Sequence, residues 1–140
     1  MLFPDIDHSL LHTLSNPISD QDVHDALFKI GRLKAPGVDG FPALFYQQHW
    51  SLCSADIIST VKKAFQTGTI PPGLNHTLIT LVPKVEDPKH MHLFRPISLC
   101  CTVYKIISKI IVGKIRPLLG KWTSPNQVSF VSGRHILTTS

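Results

Sequence analysis

Carboxylates are missing from more than the last third of this 140-residue chain, because none follows Asp87. Long apolar runs are also absent: no stretch approaches the roughly 20 residues that a membrane-spanning helix needs. The chain begins with Asp5 and Asp7 close to Met1, where a secretory signal would be basic. We therefore expect an intracellular protein that is neither secreted nor inserted in a membrane. The three cysteines form no CxxC pair and suit neither a disulfide framework nor a zinc site.

Common catalytic and cofactor motifs are lacking as well. The chain has no phosphate-binding loop of the GxxxxGK or GxGxxG type and no nucleophile-elbow pattern around a serine. Two histidine pairs have metal-like spacings, His8 with His12 and His90 with His92, but neither has a convincing third ligand. We therefore predict no metal site and no catalytic residue in this chain.

Charge divides the chain into two halves of opposite sign. Residues 1–60 carry three basic and seven acidic side chains, a net charge of −4, whereas residues 61–140 carry eleven basic and two acidic ones, a net charge of +9. A basic half of this kind concentrates polyanions, of which nucleic acids are the commonest inside cells. A solvated, merely solubilising helix face would have the same composition.

Periodicity and breaker residues predict an α+β fold. Ser19 and Asp22 have the spacing of a capping box, and apolar residues at helical spacing follow them. We predict helices over 20–33, 42–49, 54–66 and 103–119, and strands over 76–83 and 94–100 that form a hairpin with a long loop. The expected organisation is one domain, with a lead-in over 1–18, a helical part over 19–73, a β-hairpin over 74–101, and a basic helix and tail over 102–140.

Two sets of basic residues are candidate anion ligands. Lys84 ends the first predicted strand and Arg95 starts the second, so the two should meet near the hairpin tip, where an ammonium and a guanidinium together would suit a triphosphate. A solvated turn with two basic residues is the alternative. Lys105, Lys109 and Arg116 share one face of the last helix at spacings of four and seven residues.

Four segments recur in the order of a known family: KAPGVDGFPALFYQQHW over 34–50, LNHTLITLVPK over 74–84, FRPISLCCTVYKIISK over 94–109 and SPNQ over 124–127. Together they resemble the reverse transcriptase of plant LINE-type (non-LTR) retrotransposons, over about residues 14–134. The resemblance departs at Val38 and Ser132, where the family has proline, at Cys101, where it often has asparagine, and at Ser129, where alanine is usual.

The resemblance implies the fingers and the start of the palm of a right-handed polymerase. Lys84 and Arg95 would then hold the triphosphate of an incoming dNTP, and the stretch from Gln127 to Arg134 would lie along the template. The family's magnesium-binding aspartates correspond to positions beyond Ser140, so we expect this chain to bind no metal itself and to be inactive as an RNA-directed DNA polymerase on its own. The predicted nucleic-acid contacts are Lys34, Lys105, Lys109, Arg116, Gln127 and Arg134.

Three hypotheses follow for the function. The first is a truncated reverse transcriptase domain that binds dNTP, RNA template and DNA primer, in the nucleus or the cytoplasm, and that a palm and thumb supplied in trans could complete. The second is a nucleic-acid-binding module without enzymatic function. The third is a decayed remnant without biochemical role, which predicts exposed apolar surface and self-association.

Overall fold

The computed structural model describes residues 14–122, which belong to two compact units. The larger unit runs from Ile18 to Lys109, and the smaller one includes 14–17 and 110–122 of the described residues. The elements in chain order are α1 (Asp20–Phe28), α2 (Ala43–Gln48), α3 (Trp50–Thr67), β1 (Thr77–Pro83), a 3₁₀ turn (Met91–Leu93), β2 (Phe94–Cys100) and α4 (Thr102–Trp122). The predicted α+β class, with helices, a hairpin and a long final helix, is confirmed.

Helix α1 begins as predicted and ends early. The Ser19 side chain accepts a hydrogen bond from the Asp22 amide, while the Asp22 carboxylate accepts one from the Ser19 amide, which completes a capping box. The predicted end at residue 33 is wrong, because the helix stops at Phe28. The side-chain amide of Gln47 donates to the carbonyls of Leu27 and Ile30, both at 3.0 Å, and so satisfies acceptors that a helix end leaves open.

The core of the larger unit is built from helical residues at three- and four-residue spacing. Val23, Leu27, Val61 and Ile106 are fully buried, and they come from α1, α3 and α4. Burial of each of these aliphatic side chains contributes about 1.5–3 kcal/mol to the stability of this unit.

Helices α2 and α3 lie close to their predicted positions. Pro42 occupies the N-cap of α2, one position before the predicted first turn. Helix α3 starts at Trp50, four residues before the predicted residue 54, and ends at Thr67. Gly68 follows with φ of 66°, a left-handed conformation that terminates many helices and that glycine adopts without a Cβ clash.

Strands β1 and β2 form an antiparallel hairpin that exposes both faces to solvent. The register pairs Thr77 with Cys100 at the base and Pro83 with Phe94 at the tip. Apolar side chains remain accessible along its length, with Ile79 69% exposed and Leu78 48% exposed. The predicted strand bounds are confirmed to within one residue. All seven residues of β1 are nevertheless exposed.

Proline lies on both outer edges of this hairpin. The Lys84 amide donates to the Leu93 carbonyl at 2.8 Å, which makes these directly opposed residues a hydrogen-bonded pair. Because hydrogen-bonded and non-hydrogen-bonded pairs alternate in an antiparallel ladder, Pro83 and Pro96 fall at non-hydrogen-bonded positions. Each proline nitrogen therefore faces away from the partner strand, where the missing N–H removes no bond from the hairpin itself.

Helix α4 is longer than predicted at both ends. It spans Thr102–Trp122 against the predicted 103–119 and contains Pro117, which cannot donate to the carbonyl one turn earlier. In the smaller unit, the Lys114 ammonium donates to the Asn16 carbonyl at 2.6 Å and to the Leu14 carbonyl at 3.5 Å. Both bonds tie this part of α4 to the segment that precedes α1.

Candidate functional site

The hairpin register brings Lys84 and Arg95 onto one face near the tip. Arg95 is opposite Val82, and Lys84 is opposite Leu93. Lys84 and Arg95 are therefore diagonal neighbours, whose Cα atoms are typically about 7–8 Å apart in an antiparallel pair. Two long cationic side chains at that separation can reach the oxygens of a single polyphosphate.

The two cations differ in what they contact. The Lys84 ammonium donates to the His92 carbonyl of the hairpin loop at 2.8 Å. Arg95 is exposed, and within residues 14–122 no carboxylate forms an ion pair with it. All donors of the guanidinium can thus face an anion, whereas one of the three ammonium donors is already on a carbonyl.

The two faces of the hairpin also differ in charge. Alternation along the strands puts Leu78, Val82 and Ile97 on the face that carries Lys84 and Arg95. The opposite face carries no charged side chain; its residues are Thr77, Ile79, Leu81, Pro83, Phe94, Pro96, Ser98 and Cys100. An anion at the tip would therefore find cationic partners only on the face that carries Lys84 and Arg95.

The hairpin loop adds further polar groups around the tip. His90 and His92 stack with ring centroids 5.6 Å apart and planes 9° apart. Lys89 forms an exposed ion pair with Asp87 at 3.8 Å, and Asp87 has a left-handed φ of 52°. Lys89 is therefore a tip cation with a carboxylate partner in its own loop.

Lys105, predicted as a nucleic-acid contact, is engaged within the chain. Its ammonium donates to the Ala35 carbonyl at 2.6 Å. Lys109, one turn further along α4, is half-buried and belongs to the same unit, whereas Arg116 is exposed and belongs to the smaller unit. Lys34 is exposed beside the loop that Lys105 holds. The predicted contacts Gln127 and Arg134 lie outside the described residues.

The most tightly packed point near the hairpin is the junction between loop 35–41 and the start of α4, which the sequence did not predict. A Cβ on Gly37 would lie 2.3 Å from the Cys101 amide nitrogen. Thr102 is fully buried, and its hydroxyl donates to the Phe41 carbonyl at 2.9 Å. The Cys101 thiol donates to the Leu74 carbonyl at 3.1 Å, and burial raises the pKa of that thiol.

Exposed aromatic rings follow this loop. Phe41 and Phe45 are 46% and 37% exposed, with ring centroids 4.6 Å apart. The Asp39 carboxylate accepts hydrogen bonds from the Phe41 amide at 3.3 Å and from the Tyr46 hydroxyl at 3.5 Å. Burial, and then the charge of Asp39, raise the pKa of Tyr46 to about 12. Such rings are the side chains on which unpaired bases stack, and helical periodicity could not distinguish them from core residues.

Neither a metal-binding cluster nor a membrane-spanning helix occurs among residues 14–122. Between residues 14 and 122, no group of three His, Cys, Asp or Glu side chains is placed to hold a metal ion. In that same range, none of the helices has the length and apolar character needed to cross a membrane.

Comparison with known proteins connects the chain to mobile genetic elements. No protein-family profile matches it. An uncharacterized 149 kDa protein of the transposon TX1 from Xenopus laevis is 32% identical to it over 123 residues. The match covers 88% of this chain but only 9% of that protein, so the chain spans about a tenth of the length of its relative. The chain is therefore similar to a segment of a transposon protein.

Proposed function

We propose that this segment, similar to part of a transposon protein, is the fingers portion of a LINE-type reverse transcriptase that binds dNTP and a primer–template. The observation that carries the proposal is that Lys84 and Arg95 lie on one face of the hairpin as diagonal neighbours. An ammonium and a guanidinium bind phosphate oxygens in different ways, one as a point charge and one as a planar fork. The order of the four sequence segments supports the same assignment.

Binding at this site has a defined sequence of contacts. Arg95 is exposed and without an ion pair in the described range, so its guanidinium would engage phosphate first. Lys84 would follow with the donors that its bond to the His92 carbonyl leaves open. Because the guanidinium fork can form two parallel hydrogen bonds to phosphate and the ammonium acts as a point charge, Lys84 should contribute less than Arg95.

Metal chemistry is assigned to no residue of this chain. The family enzyme uses magnesium held by aspartates, but the described residues bring no such cluster together, and no carboxylate follows Asp87. The proposal therefore covers binding of the nucleotide and the nucleic acid, and we expect no nucleotide addition by this chain alone.

The test is a fluorescence-anisotropy titration of a labelled primer–template, with and without dNTP. We expect dNTP to tighten the complex, and Arg95→Ala to weaken the dNTP effect by about 10- to 100-fold, since a charge-assisted hydrogen bond contributes about 1.5–3 kcal/mol. Lys84→Ala should weaken it less. Lys89→Ala is the matched control, because that tip lysine is already paired with Asp87 at 3.8 Å.

Two results would contradict the proposal. One is a folded chain whose affinity for primer–template does not respond to dNTP. The other is a response that Arg95→Ala and Lys89→Ala lower equally, which would reduce the site to general positive charge.

A second candidate function, a nucleic-acid-binding module without a nucleotide site, is favoured by the net charge of +9 over residues 61–140. It predicts binding that depends on salt and not on dNTP. Contact with about four phosphates of a single strand gives a slope of log K against log salt near −3. A flat dependence would exclude it.

A further inference from the structure

The hairpin is attached to the larger unit at its base, where loop 35–41 meets residues 100–105. Three contacts define this loop–helix clasp: Gly37 against the backbone of Cys100 and Cys101, the Thr102 hydroxyl on the Phe41 carbonyl at 2.9 Å, and the Lys105 ammonium on the Ala35 carbonyl at 2.6 Å. The residues it joins are more than 60 positions apart in the chain. Helix α4 begins two residues after β2 ends, so the clasp also fixes the position of the last residue of β2.

Further from the clasp, little holds the hairpin. All seven residues of β1 are exposed, and so are four of the seven in β2. The direction in which the two strands extend is therefore set by the contacts at the base of the hairpin. Seven residues of antiparallel strand extend about 24 Å, so a tilt of about 10° at the base moves the tip by about 4 Å. Hydrogen bonds to phosphate tolerate only a few tenths of an ångström.

We propose that Lys105 is a positioning residue: its bond to the Ala35 carbonyl closes the clasp and thereby aims Lys84 and Arg95. This inference rests on the proposed nucleotide site and assigns Lys105 a task other than holding phosphate. The side chain is half-buried and its ammonium already donates to a carbonyl at 2.6 Å. Lys109 is the matched comparison, since it is also half-buried and lies one turn along the same helix.

The experiment compares Lys105→Met with Lys109→Met in the full chain by two measurements. Hydrogen exchange of the amides in residues 35–41 reports on the clasp without any ligand. Anisotropy with primer–template across a salt series, with and without dNTP, reports on the tip. For Lys105→Met we expect exchange over 35–41 at least fivefold faster, a dNTP effect at least fivefold weaker, and an unchanged salt slope. Lys109→Met, at a predicted nucleic-acid contact, should weaken primer–template binding and make the salt slope shallower by about 0.7, while exchange over 35–41 stays as it is.

A rescue variant separates positioning from loss of the fold. Lys105→Arg retains a donor that reaches the Ala35 carbonyl, so it should restore both the slow exchange and the dNTP response. Unchanged exchange in Lys105→Met overturns the proposal. So does a salt slope that becomes shallower by about 0.7, the value expected for one lost phosphate contact on a single strand.

Failure of the proposed function is distinguishable from failure of the clasp. If the unmodified chain shows no dNTP effect, the nucleotide site is wrong. Hydrogen exchange then decides on the clasp by itself: faster exchange over 35–41 in Lys105→Met, restored by Lys105→Arg, supports it, and equal exchange in all three proteins overturns it.

Discussion

Replacing Gly37 with alanine should destabilise the larger unit more than any other glycine-to-alanine change among the described glycines. The added Cβ would lie 2.3 Å from the Cys101 nitrogen and 2.5 Å from the Cys100 carbonyl carbon, about 1 Å closer than ordinary contact at 3.4 Å. All three of its nearest neighbours are backbone atoms, so no side chain can rotate away.

The loss in the free energy of unfolding is the difference between two opposing effects of the added methyl group. Overpacking against a rigid neighbour costs up to about 3 kcal/mol, and restriction of the unfolded chain by alanine returns about 0.4–1 kcal/mol. A net loss of about 2–2.5 kcal/mol lowers Tm by about 10–20 °C in a unit of this size. Urea denaturation followed by circular dichroism, supported by a thermal melt, measures both quantities.

Two other glycines provide controls for the same substitution. Gly113 lies inside α4 with nothing within 4 Å of an added Cβ, so alanine there should stabilise the helix by about 0.8–1.0 kcal/mol. Gly40 also has open space but a φ of 73°, so alanine there should cost about 1–2 kcal/mol through left-handed strain alone. A Gly37→Ala protein within 0.5 kcal/mol of the unmodified chain would refute the close approach on which this reasoning depends.

Three further predictions concern other parts of the described structure. Because the pKa of Tyr46 is about 12 in the fold against 10.0 in the unfolded chain, its stabilising contribution is present below pH 10 and is lost as pH rises toward 12; absorbance titration at 295 nm should show one late-titrating tyrosine, which Tyr46→Phe removes. Cys101 is 2% exposed, and burial raises the pKa of its thiol, so iodoacetamide should modify the half-buried Cys100 before Cys101. Peptide mass spectrometry measures the order of modification, and the reverse order would contradict the packing at the clasp. Ile79→Thr, at a 69% exposed strand position, should change stability by less than about 0.5 kcal/mol and reduce binding of the dye ANS, whereas a loss above 1 kcal/mol would mean that this side chain is packed.

Local sequence signals predicted the elements well where a few neighbouring residues decide the structure. The capping box at Ser19 and the strand bounds set by Pro83 and Phe94 depend on short-range chemistry, so they could be read directly. The end of α1 could not, because Gln47, about twenty residues further on, supplies the group that bonds to its last carbonyls. Tertiary partners of this kind leave no local signature.

The candidate site shows the same division. The placement of Lys84 and Arg95 as near neighbours at the tip followed from a hairpin with matched strands, which a sequence can indicate. Lys105 was grouped with the other cations of its helix by spacing alone, yet its ammonium donates to Ala35, seventy residues earlier in the chain. Periodicity tells which side chains share a helix face, but it carries no information about what that face meets.

Pro83 and Pro96 affect whether this exposed, apolar hairpin can accept a further strand at its edges. A strand that added to either outer edge would lack one amide donor, at Pro83 on the β1 edge and at Pro96 on the β2 edge. Steric bulk of the two rings also holds a third strand away near the tip. The two prolines therefore disfavour templated strand addition at the tip of each edge, where a β-rich apolar sequence would otherwise favour a cross-β stack.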